Sequence, residues 1–148
     1  MNVLVIPEDF RKDQFILQPI IAAMLSKLQK PANVEVLRDP LIGGVSQAMN
    51  REVLSEIVED NKWNVDLFLL CVDRDAEEGR RGALDRLETH FNRTQNAAKF
   101  MAAENAWQEL EIWHISDSPA QFGLRIPSAL FGLGAIKSFN LAFTAGHS

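Results

Sequence analysis

Residues 65–72 read VDLFLLCV, an apolar run interrupted by one charge near its start. Such a run has no polar face to turn to water, so it predicts a central strand covered on both sides. Helices must then lie on both faces of its sheet. Parallel strands joined by helical crossovers provide that arrangement.

The order of the remaining segments agrees. NVLVIP (2–7) is a short β-branched apolar run and predicts a buried strand. DQFILQPIIAAMLSKLQK (13–30) carries Phe15, Ile16, Ile20, Ala23, Met24 and Leu28 at helical spacing. Pro19 leaves two readings: a helix beginning near Gln18, or one kinked at the proline. NVEVLR (33–38) alternates like a strand, and DPLIGG (39–44) is turn chemistry. SQAMNREVLSEIVED (46–60) predicts one helix with Ser46 as N-cap and Ala48, Met49, Val53, Leu54 and Ile57 on its apolar face.

GRRGALDRLETHFN (79–92) predicts the next helix, with Leu84, Leu87 and Phe91 inward. AKFMA (98–102) reads as a fourth short strand, and ENAWQELEIWHI (104–115) as a helix. The expectation is therefore a three-layer α/β fold, Rossmann-like, with a mostly parallel sheet and helices on both faces.

Residues 115–148 differ from the rest. Their only formal charges are Asp117, Arg125 and Lys137, and no clean period survives their glycines and prolines. We read 1–114 as one domain and 115–148 as an atypical apolar segment, either a partner-binding tail or a truncated or frame-shifted end. An apolar tail also makes self-association an expectation.

The net charge of −5 argues against a broad basic nucleic-acid surface, although a bound divalent metal reverses the potential around an acidic site. The single cysteine, Cys71, leaves no internal disulfide framework and fits a reducing cytoplasm. MNVLVIPEDF begins directly on a strand pattern without a secretory signal, and no run is long enough to span a bilayer. A cytoplasmic protein without a membrane partner is expected.

The strand VDLFLLCV runs into DRDAEEG. Parallel sheets collect ligands at the carboxyl ends of their strands. Glu8 follows the first strand, and Asp73 and Asp75 follow this one. In extended backbone, side chains two apart share a side and lie about 6–7 Å apart. If the two strands are neighbours, Glu8 faces that pair, and three convergent carboxylates suit a hard cation such as Mg²⁺ or Mn²⁺. The alternative is plainer: Glu8, Asp9 and the DRDAEEG charges are solvated loop residues, with Asp75 or Glu77 capping the next helix.

Arg74 stands where a phosphate would approach, while Arg80 and Arg81 read as helix-surface charges, Arg81 pairing with Glu77. Gly43-Gly44 reads as a tight turn in preference to a phosphate loop, because no Walker lysine accompanies it. Trp63, Trp107 and Trp113 are candidate base-stacking groups, the latter two better explained as core.

A Glu after strand one and a DxD after a later apolar strand resemble the TOPRIM domain of topoisomerases, primases and OLD (overcoming lysogenization defect) nucleases. The AEEG continuation is one residue longer than the topoisomerase form. IPEDFRKDQFIL, RDPLIGG, LFLLCVDRDAEEGRR and AENAWQELEIW are similar to small stand-alone TOPRIM-like bacterial proteins of unknown function, over about residues 1–114.

The resemblance implies Glu8, Asp73 and Asp75 as ligands of Mg²⁺ or Mn²⁺, with Glu8 doubling as general acid/base. It implies Glu109 and Glu111 as candidates for a second metal, although residues two apart on a helix point about 200° apart. It further implies metal-dependent phosphodiester hydrolysis of a nucleic acid, with an OLD- or ABC-type ATPase partner in defence against phage. The alternative is a non-catalytic module that docks such an ATPase.

Overall fold

The computed structural model describes residues 1–73, 79–94, 100–106, 120–126 and 137–143. Four parallel strands form the main sheet: β1 (Asn2–Pro7), β2 (Asn33–Val36), β3 (Leu67–Asp73) and β4 (Phe100–Ala106), in the order β2-β1-β3-β4. Its helices are α1 (Phe10–Lys27), α2 (Val45–Ala48), α3 (Arg51–Asn61) and α4 (Arg80–Thr94). Strands β5 (Ala120–Ile126) and β6 (Lys137–Phe143) make a separate antiparallel pair.

The apolar runs explain the layering. In β1, Val3 and Val5 project to one face and Leu4 and Ile6 to the other, and all four are buried. In β3, Leu67, Leu69 and Cys71 join the first set, while Phe68, Leu70 and Val72 join the second. Helix α1 covers the first face through Leu17, Ile21, Met24 and Leu25. Helices α3 and α4 cover the second through Leu54, Ile57, Val58, Leu84, Leu87 and Phe91. The crossover through α1 moves one way along the sheet, and those through α3 and α4 move the other. Crossovers of a single hand must then lie on opposite faces, as they do.

Several expectations need correction. Helix α1 starts at Phe10, three residues earlier than the periodicity suggests, because the Asp9 side chain accepts from the Arg11 N–H at 3.0 Å and caps it. It continues through Pro19 to Lys27. Its buried stripe is Asp13, Leu17, Ile21, Met24 and Leu25, whereas Phe15 is 76 % exposed.

The segment expected to be one helix over 46–60 is two. Asn50 Oδ1 accepts from the N–H groups of Glu52 and Val53 at 2.9 and 3.2 Å, which ends α2 and starts α3. Ser46 lies inside α2, whose N-cap is Gly44. Residues 104–106, expected to open a helix, instead extend β4, pairing Cys71 with Glu104, Val72 with Asn105 and Asp73 with Ala106. The ladder to β3 overrides the weak strand propensity of alanine, glutamate and asparagine. The remainder of that expected helix, including Trp107 and Trp113, lies outside the described residues.

No helix among the described residues is long and apolar enough to cross a membrane.

Candidate functional site

The sheet reverses its direction of growth between β1 and β3, whose neighbours lie on opposite sides. At such a switch point the following helices separate and leave a crevice beyond the strand ends. Pro7 pairs with Cys71 at the last rung, and the Glu8 N–H then donates to the Cys71 carbonyl at 3.1 Å. The Glu8 side chain turns across to β3, where Oε2 accepts from the Asp73 N–H at 2.9 Å. Glu8 and Asp73 therefore come together at adjacent strand ends, as the sequence suggested. Asp75 and Arg74, and likewise Glu109 and Glu111, lie outside the described residues.

The loop DPLIGG, with a cis Asp39–Pro40 peptide, closes over this corner. Asp9 and Gly43 form an isolated antiparallel bridge, and the Gly44 N–H donates to the Glu8 carbonyl at 3.1 Å. Gly44 has φ +107°, a conformation in which a side chain would be strained. The Gly43 N–H donates to Gln47 Oε1 at 2.7 Å. Both glycine amides thus serve internal contacts, in line with a turn and not with a phosphate cradle.

Together these residues enclose a cavity of about 600 Å³, lined by Glu8, Asp9, Lys12, Asp13, Ile42 and Asp73 among others. Arg11 and Leu41 also border it. Asp13 is the residue that sequence reasoning missed. It is 6 % exposed, and its Oδ2 accepts from the Asp9 N–H at 3.2 Å. Burial raises its pKa to about 6, opposed by the Asp9 hydrogen bond and reinforced by the negative charges of Asp73, Asp9 and Glu8. An acid in phase with Leu17, Ile21 and Met24 was the available signal. The competing apolar residues Phe15, Ile16 and Ile20 mask that phase in the sequence.

Two arginines also differ from expectation. Arg80 is 5 % exposed, not a surface charge, and its Nη1 donates to the Asp73 carbonyl, holding the strand end on which the carboxylate stands. Arg81 reaches β4, donating to the Ala103 carbonyl at 2.8 Å and to Glu104 at 3.2 Å. It also pairs with Asp85 one turn on, at 2.6 Å, while the expected partner Glu77 lies outside the described residues. Burial works against the Arg81 charge, but the Asp85 hydrogen bond and the carboxylates of Glu104, Asp85 and Glu88 outweigh it and raise its pKa.

Cys71 is buried, and desolvation, with Glu104, Asp13 and Asp73 nearby, pushes its thiol far up, so it is inert core as expected. Trp63 is 84 % exposed and precedes β3, at the end of the sheet opposite the cavity.

The donors around the cavity are carboxylate oxygens, the chemistry that a hard divalent cation takes. Among the described residues no group of three His, Cys, Asp or Glu stands at a spacing that would hold a metal ion. Glu8 and Asp73, which the structure does bring together, are two carboxylates and do not by themselves make such a group. No protein-family model, curated protein or solved structure matches this chain.

Proposed function

We propose that the chain is a TOPRIM-like, Mg²⁺- or Mn²⁺-dependent phosphodiesterase acting on nucleic acid. The observation that carries this reading is the meeting of Glu8 and Asp73 at the carboxyl ends of adjacent parallel strands, at the switch point of the sheet. Asp75, two residues beyond Asp73, is the proposed third ligand. A bound divalent cation would supply Lewis-acid stabilisation of charge on a phosphodiester. Glu8 then stands where a carboxylate can take or give a proton, and Arg80 fixes the end of β3 that presents Asp73. Arg74 is the proposed phosphate contact, with Glu109 or Glu111 proposed for a second metal.

With 20 acidic against 15 basic residues, the chain's net charge of −5 opposes a nucleic-acid backbone, and phosphate contacts dominate such affinity. The reading therefore includes a partner that supplies positive surface. An OLD- or ABC-type ATPase in anti-phage defence is the partner that the resemblance alone suggests.

Calorimetric titration of Mg²⁺ and Mn²⁺ into the protein and into Asp73→Asn/Asp75→Asn tests the site. Binding that disappears in the variant is expected. Equal binding in both, or none in either, removes the metal centre and with it the nuclease.

One observation favours the second reading, a non-catalytic module docking an ATPase. Glu8 Oε2 already bonds the Asp73 amide, so this carboxylate has a structural role of its own. On that reading Glu8→Gln, which keeps an acceptor oxygen, has the thermal stability and the metal response of the wild type.

A further inference from the structure

Among the described residues, β4 is the last strand of the main sheet on its side, hydrogen-bonded there to β3. An edge strand presents a row of N–H and C=O groups that invite another strand. At Met101 and Ala103 these groups are taken by side chains of α4. Asn92 makes a pair of hydrogen bonds to Met101: Oδ1 accepts from its N–H at 2.8 Å, and Nδ2 donates to its carbonyl at 2.9 Å. At Ala103 the N–H donates to Glu88 Oε1 at 2.7 Å, and the carbonyl accepts from Arg81 Nη1 at 2.8 Å. Met101 and Ala103 are alternate residues, so these are successive outward positions of one strand edge.

The match has a geometric basis. Helix α4 runs antiparallel to β4, and one turn from Glu88 to Asn92 rises about 6 Å. Two residues of strand advance about 6.6 Å. The two repeats stay in step over this distance, so Asn92 meets Met101 and Glu88 meets Ala103. The stripe Arg81, Asp85, Glu88, Asn92 follows the core stripe Leu84, Leu87, Phe91 one residue further round the helix. With the apolar stripe seated on the sheet, the polar one overhangs its edge. Arg81 is itself held by Asp85, Glu104 and Glu88, at 2.6, 3.2 and 3.8 Å.

We infer that α4 serves as a side-chain substitute for a further strand, and that Asn92, Glu88 and Arg81 close the β4 edge against pairing with the β4 edge of a second copy of this chain. The inference is independent of any metal or nuclease chemistry.

Asn92→Ala/Glu88→Ala in the full chain tests it. Both positions lie on a helix, where alanine has the higher propensity, so a weakened α4 is not the expected outcome. Amide exchange at Met101 and Ala103 is expected to accelerate about tenfold, the equilibrium factor of one ordinary hydrogen bond. The buried amides of β1 and β3 serve as internal controls and are expected to keep their rates. Sedimentation velocity over a range of concentrations is expected to show a self-associated species that the wild type lacks. Glu88→Gln, which retains the Oε1 acceptor, is expected to behave as wild type. Unchanged exchange at both amides, or identical sedimentation of wild type and variant, overturns the inference. Asn92→Ala alone, at an exposed position, answers the same question should the double variant fail to fold.

Discussion

Asp13 sits on the apolar side of α1 facing the carboxylates of Glu8, Asp9 and Asp73, and its protonation is coupled to folding. Its folded pKa of about 6 lies above its ordinary value of 3.8. Between these values the native state binds more protons than the unfolded chain, so stability falls as pH rises. The contribution is complete below pH 3.8 and lost as pH passes 6; at most about 3 kcal/mol is involved, at 1.36 kcal/mol per pKa unit.

Asp13→Asn keeps an oxygen for the Asp9 N–H and removes the ionisation. In urea unfolding with a chelator present, the variant is expected to exceed the wild type at pH 8 and to match it at pH 4. Parallel pH profiles would show that Asp13 ionises without cost. Of this site, Glu8 and Asp73 were legible because each follows an apolar strand and needs no tertiary information to be placed at its end. Asp13 depended on the phase of a helix that begins at an Asp cap and contains a proline, and Arg80 depended on which side of α4 faces the strand end.

The connection between β2 and β3 is decided by one side chain. Asn50 accepts from two backbone N–H groups at the start of α3, while Ser46 caps nothing. Asn50→Ala is expected to cost about 1 kcal/mol, read as a lower urea midpoint with unchanged slope. Ser46→Ala is expected to leave the midpoint in place, and a comparable loss there would return the helix start to Ser46.

The elements that could be read from the chain were those with a single dominant signal. β1 and β3 are unbroken apolar runs, and Leu84, Leu87 and Phe91 form one uncontested stripe. The others held competing signals. Serine and asparagine both cap helices, and only packing selects between them. FMAAENA has the composition of a helix, yet it pairs along its length with β3, and its Met101 and Ala103 edge is satisfied by α4. Such non-local pairing leaves no mark on local periodicity.

At the scale of the molecule, two apolar layers share one sheet, and each layer is covered by different helices. Leu69 belongs to the layer under α1, and Leu70 to the layer under α3 and α4; both are fully buried. Neither layer can open without exposing the backbone that carries the other, because adjacent residues of β3 alternate between them. Unfolding of the main sheet is therefore expected to be one cooperative event. Leu69→Ala and Leu70→Ala should each cost about 2–5 kcal/mol, the usual range for a leucine cut back to alanine in a core. Each should move a single transition, seen at the same urea concentration by circular dichroism and by the reactivity of buried Cys71, which lies in the α1 layer. If Leu70→Ala instead lowered the circular dichroism midpoint while Cys71 stayed protected, the α1 layer would be a separate unit. The corner where Glu8 meets Asp73 would then join two bodies able to shift, since Glu8 leads into α1 and Asp73 leads towards α4. A single transition instead makes that corner rigid, with the two carboxylates held by the same cooperative core that holds the strands.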